Sequence, residues 1–138
     1  MTLRFEDVRV GDTLPTLITD KITRTTLALY CGASGDHNPI HVDIDYARAN
    51  GLHDVITHGM LNMAYLGRLV TNWVPQTAIF SLSTKFSTIT PVNTVITCTG
   101  RVRAKRVEGS ENLVDLDLTA TAEDGEVKLS GAATIALP

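Results

Sequence analysis

Much is missing from this chain, and the gaps exclude whole classes of function. None of its apolar runs reaches the ~18 residues that span a bilayer. The start, Met-Thr-Leu-Arg-Phe-Glu-Asp, lacks the apolar core of a secretory signal. There are only two cysteines among 138 residues, Cys31 and Cys98. That is too few for a disulfide framework, and neither sits in a Cys-x-x-Cys pair, so free thiols and a cytoplasmic location are expected. Positive charge is not in excess: the formal net charge is -3, which argues against binding a phosphate backbone. Linkers, internal repeats and low-complexity tracts are absent. What remains is one ordinary domain, residues 1–138, with a 43% apolar share that can build a core.

The order of elements follows from periodicity and punctuation. Residues 3–12 read as an irregular lead ending at the Gly11-Asp12 turn, and 14–22 as a strand with Pro15 near its start. Thr23 is a candidate cap for a helix over 24–33, with Leu27, Tyr30 and Cys31 at helical spacing and Gly35 suited to the left-handed stop. Asp36 to Val42 is a loop, because Pro39 excludes a helix and holds Asn38 extended. Asp43 caps a short helix over 44–50, stopped by Gly51. The longest helical pattern runs over 59–73, with only Asn62, Arg68 and the Thr71-Asn72 end clearly polar, which predicts a helix buried on nearly all sides. Strands follow over 78–86, 92–106, 113–122 and 127–137, with Asp124-Gly125 a strong hairpin turn. The fold class expected is α+β: an antiparallel sheet of about five or six strands around a long central helix.

All four histidines fall between His37 and His58, among Asp36, Asp43, Asp45 and Asp54. A metal site does not follow, since Pro39 between His37 and His41 forbids the helix that would put them on one face. A carboxylate and an imidazole on one short stiff loop can instead hold one water: Asp36 takes a proton, and His41 orients the water or shuttles the proton back. Asn38 can tie its side chain to nearby backbone. The start of the helix at Gly59 leaves backbone N–H groups free, and the Gly59 or Met60 N–H can polarise a carbonyl oxygen. Such a set suits addition of water to an α,β-unsaturated carbonyl. On spacing alone, Asp36 and His41 are equally readable as turn and core residues, and His58 as an N-cap-region residue.

The stretch Ser34-Gly35-Asp36-His37-Asn38-Pro39-Ile40-His41, with His58-Gly59-Met60-Leu61 downstream and Pro91-Val92 after Phe86, resembles the signature of the MaoC-like (R)-specific enoyl-thioester hydratases and dehydratases. The resemblance implies a hot-dog fold and a hydro-lyase: water adds to a trans-2-enoyl thioester, on coenzyme A or acyl carrier protein, to give the (R)-3-hydroxyacyl product, or leaves in reverse. It implies Asp36 and His41 as the catalytic pair and Gly59, Met60, Asn38 and His58 as substrate-binding residues, with no cofactor and no metal. It implies a homodimer joined at sheet edges, or a heterodimer with a homologous subunit, as in carrier-protein dehydratases. Two departures stand out: Asn93-Thr94 replaces a Gly-Asp pair, and Gly67 falls about where some hydratases carry serine. The rival expectations are a hot-dog thioesterase and a subunit active only with its partner. Arg101, Arg103 and Lys105 share one strand face, expected to be solvated rather than bound to a carrier. Met60, Met63 and Trp73 are expected core rather than an acyl tunnel.

Overall fold

The computed structural model describes residues 2–138. A 3-10 turn at Phe5–Asp7 precedes β1 (Leu17–Ile18), α1 (Arg24–Ser34), α2 (Ile44–Ala49) and α3 (Gly59–Thr71), then β2 (Ile79–Phe86), β3 (Ile96–Glu108), β4 (Glu111–Ala122) and β5 (Val127–Ala136). The five strands form one antiparallel sheet in the order β1-β3-β4-β5-β2. Gly109 (φ 59°) and Gly125 (φ 86°) turn the β3–β4 and β4–β5 hairpins in the left-handed region that favours glycine.

Local chemistry sets α1. Thr23 Oγ1 accepts the Thr26 N–H at 3.1 Å, a cap worth about 1 kcal/mol. Leu27 and Cys31 form its buried face, and Gly35 (φ 76°) ends it. Helix α3 lies on the sheet through Leu66, Leu69 and Val70, all fully buried, in one core cluster with Ile96, Leu116, Leu118, Leu129 and Ile135. Each large aliphatic so buried contributes about 1.5–3 kcal/mol. Gly131 on β5 lets the β2 backbone approach: a Cβ there would lie 2.9 Å from the Ser83 carbonyl.

Several expectations are corrected. The strand over 14–22 shrinks to Leu17–Ile18. Around it, Leu14, Thr19 and Ile22 donate singly to Gly100 (3.0 Å), Ile96 (2.9 Å) and Thr94 (3.0 Å) on the β3 side, because Pro15 has no N–H to continue a ladder. Helix α3 is not buried all round: Met60, Ala64 and Arg68 form one exposed row, since the sheet covers only the opposite side. On β2, Phe80 and Phe86 are 57% and 50% exposed, as β2 is an edge strand with a register shift between Ile79 and Ser81. Lys105 leaves its solvated face: a bulge between Val102 and Ala104 turns Nζ under the N-terminal segment, where it donates to the Phe5 (2.6 Å) and Val8 (2.5 Å) carbonyls. Asp115 is likewise drawn in, at 8% exposed, held by Arg106 Nη1 and by the Thr134 hydroxyl at 2.6 Å.

Candidate active site

The loop after α1 is fixed by side chains bonding to nearby backbone. Ser34 Oγ donates to the Tyr30 carbonyl (2.6 Å) and accepts the Asp36 N–H (3.1 Å). Asp36 Oδ1 accepts the Asn38 N–H (3.3 Å), and Asn38 Oδ1 accepts the Ile40 N–H (3.1 Å). Pro39–His41 then makes one 3-10 turn, and Asp43 caps α2 through the Asp45 and Tyr46 N–H groups. Each short polar side chain here replaces a bond that a loop backbone lacks. The outcome is that Asp36 and His41 face each other, with His41 Nε2 3.9 Å from Asp36 Oδ2.

The His41 tautomer follows from its other nitrogen. Nδ1 lies 2.7 Å from the Ile56 carbonyl, which only accepts, so Nδ1 carries the proton and Nε2 of the neutral ring is an open acceptor. A single water can donate one hydrogen to Nε2 and the other to Asp36 Oδ2. Asp36 is exposed and His41 buried, so the carboxylate stays solvated while the ring is held. His58 supports the ring from behind. It is 1% exposed, stacks on His41 with centroids 3.7 Å apart, and meets Tyr30 edge-on at 4.7 Å. Its Nε2 lies 3.3 Å from the Asp36 carbonyl and 3.4 Å from Cys31 Sγ. Burial first, and the charge of His41 second, push the His58 pKa down. Burial pushes the Cys31 thiol up, with Asp36 adding to it, and burial pushes Cys98 up to about 11. Neither thiol is an activated nucleophile.

Ligand atoms of Asp36, His41 and His58 lie within 4.8 Å of one another, a trio the spacing of His37 and His41 did not reveal. It does not fit a metal ion. The two imidazoles are stacked at 21° between planes, so their lone pairs run side by side. They cannot converge on one ion about 2.0–2.1 Å from each nitrogen.

His41 opens onto a cleft of about 310 Å³ lined also by Thr57, Gly59, Asn62, Phe86 and Thr90 among others, with Asp36 outside its lining. No side chain caps α3 at its start, and its first bonds to His58 O come from the Leu61 and Asn62 N–H groups. The Gly59 and Met60 N–H groups are therefore the open donors that a helix start leaves. Gly59 is needed for close approach rather than for its φ, since a Cβ there would lie 2.9 Å from Phe86 Cδ1. The Met60 side chain is 55% exposed. Asn38 Oδ1 is committed to its own loop. His58 sits behind His41 instead of on the cleft wall. Thr57, Asn62, Phe86 and Thr90 are wall residues that spacing did not single out. Asn62 had a visible signal, as a lone amide in an apolar helix. A second cleft of about 350 Å³ around Leu52 to Ile56 and Pro91 to Asn93 brings no open acid–base pair together, since Arg24 engages Asp54 and holds its carboxyl low.

Comparison with known proteins bears on the family and the fold. A family model described as MaoC like domain matches residues 5–124. The chain is 28% identical over 134 residues to the (R)-specific enoyl-CoA hydratase of Rhodospirillum rubrum, covering 97% of this chain and 91% of that protein. In fold it resembles the unliganded R-hydratase PhaJ1 from Pseudomonas aeruginosa, with a TM-score of 0.88 and 22% identity over 99% of this chain and 86% of that one. It also resembles a chain of the ChsH1-ChsH2 complex from Mycobacterium tuberculosis, with a TM-score of 0.80 and 21% identity over 94% of this chain and 98% of that one. The architecture is thus the hot-dog arrangement.

Proposed function

We propose, for a chain that belongs to the MaoC-like domain family, that it catalyses reversible hydration of trans-2-enoyl thioesters to (R)-3-hydroxyacyl thioesters. The observation that carries this reading is the open His41 Nε2, 3.9 Å from Asp36 Oδ2, beside the free N–H groups at the start of α3. The thioester carbonyl accepts from the Gly59 N–H. Water between Asp36 and His41 adds its oxygen to the β-carbon and gives one proton to the pair, with Asp36 as the base. Electrons shift onto the carbonyl oxygen, giving an enolate that the helix start stabilises. The same proton passes from Asp36 to His41 Nε2, which delivers it to the α-carbon and leaves both groups as they began. The net addition is one water. Acid–base work of this kind contributes about 10²–10⁴-fold, and one carbonyl donor about 10²–10³-fold.

The substrate carrier is coenzyme A or acyl carrier protein, the reading takes residues 1–138 as one cytoplasmic domain, and it uses no cofactor. The assembly is a dimer of this chain or a pair with a homologous subunit. Support for the pair is the fold likeness to a chain of a two-protein complex. The sequence likeness that extends across 91% of a named (R)-specific enoyl-CoA hydratase favours hydration over thioester hydrolysis. The test is turnover of crotonyl-CoA by Asp36→Asn and His41→Gln. Each is expected to lose at least ~10²-fold in kcat with an unchanged melting profile. Full turnover by Asp36→Asn would sink the mechanism, and release of free thiol without hydroxyacyl product would favour a thioesterase.

A further inference from the structure

One helical turn beyond Gly59, the cleft wall carries polar atoms with nothing to bond. Asn62 is 1% exposed and Thr57 4%, and both line the cleft together with Thr90. Asn62 Nδ2 donates to Thr90 Oγ1 at 2.8 Å, and the Thr57 N–H donates to the Thr90 carbonyl at 2.9 Å, so the three form one cluster. Asn62 Oδ1 and Thr57 Oγ1 remain buried without a partner. Burying such atoms unpaired is costly, and a leucine or valine in their place would carry no such cost. Buried polar groups left unpaired beside a binding cleft are one means by which a site selects a hydrogen-bonding substrate and rejects its apolar analogue.

The chemistry of the two atoms narrows the ligand. Asn62 Oδ1 only accepts, whereas the Thr57 hydroxyl both donates and accepts. A hydroxyl suits each of them, since it can donate to Asn62 Oδ1 and can accept from or donate to the Thr57 hydroxyl. A methyl group satisfies neither, and a carboxylate has no proton for Oδ1. Turning the carboxamide over leaves Nδ2 open in place of Oδ1; a hydroxyl bonds either atom, whereas a carbonyl or carboxylate bonds only in the turned form. Asn62 lies three residues past Gly59, about 4.5 Å along the helix axis and so roughly three or four carbon–carbon bonds from the bound carbonyl.

We propose that Thr57, Asn62 and Thr90 are specificity-determining residues, and that the cleft takes short enoyl thioesters bearing a hydroxyl on the γ- or δ-carbon. This rests on the hydration reading above. The experiment compares kcat/KM for crotonyl-CoA against 4-hydroxy-trans-2-butenoyl-CoA, and for trans-2-pentenoyl-CoA against 5-hydroxy-trans-2-pentenoyl-CoA. In the wild type, one hydroxylated substrate is expected to exceed its plain partner by at least ~10-fold, chiefly through KM. In Asn62→Leu, and independently in Thr57→Val, that ratio is expected to fall toward one, which a merely structural role would not produce. A wild-type ratio at or below one overturns the proposal while leaving the hydration reading intact, as when the wall holds only a trapped water. An unchanged ratio in both folded variants overturns it too. No turnover of any of the four overturns the hydration reading and the proposal with it.

Discussion

At the scale of single residues, the site depends on groups that hold other groups. His41 keeps one nitrogen on the Ile56 carbonyl (2.7 Å) and one toward Asp36, and His58 fixes its plane by stacking. Burial lowers the His58 pKa, which ties stability to pH. The folded chain resists a proton that the unfolded chain accepts below its ordinary value of about 6.5. Stability contributed by neutral His58 is therefore present above that value and lost as pH falls through it. His58→Gln is expected to flatten the drop in urea midpoint between pH 7.5 and pH 5.5, and an equal drop in both proteins would refute this. The pair proposed as catalytic was visible in the sequence only as a motif, because spacing alone left Asp36 and His41 open to a turn and a core role. The role of Asn62 was hidden further. Its polarity is written in the chain, but the fact that Oδ1 finds no partner depends on Thr90, 28 residues away.

At the scale of elements, what is local was legible and what is long-range was not. Thr23, Gly35, Asp43 and the Asp124-Gly125 turn act within a few residues, so the bounds of α1, α2 and the last hairpin followed closely. The shortness of β1, the exposed row of α3 and the redirected Lys105 depend on partners 77 to 100 residues away or on which side the sheet lies. The segment after β2, which forms the cleft wall opposite α3, shows the same dependence. Lys128 on β5 is 4% exposed, and its Nζ donates to the Ile89 carbonyl (2.9 Å) and to Glu126 Oε1 (3.1 Å). The Lys128 carbonyl accepts the Ser87 N–H at 3.0 Å. Lys128→Met keeps the stem but leaves the Ile89 carbonyl unpaired, at a cost of about 1–3 kcal/mol. The expected result is a lower melting temperature together with a KM for crotonyl-CoA that rises more than kcat falls. A change in melting temperature alone would assign Lys128 to the fold and not to the wall.

At the scale of the whole molecule, the sheet has two unequal edges. β1 closes one with two residues, whereas β2 leaves the other open along eight. An open edge with exposed apolar residues is a template for another strand, and this one carries Phe80 and Phe86, with Ile89 56% exposed just beyond. The same Phe86 ring lies against Gly59 and lines the cleft, so whatever covers this edge also covers one wall of the site. Assembly and catalysis are therefore expected to be coupled through Phe86. Sedimentation velocity should give twice the monomer mass at micromolar concentration. Phe80→Lys, which puts charge on the edge without touching a cleft residue, should shift the chain toward monomer and lower kcat/KM together. A chain that stays monomeric alone, and gains both mass and turnover with a homologous subunit, would identify the partner as that subunit. A monomer with full turnover in every mixture would show that the edge serves no site.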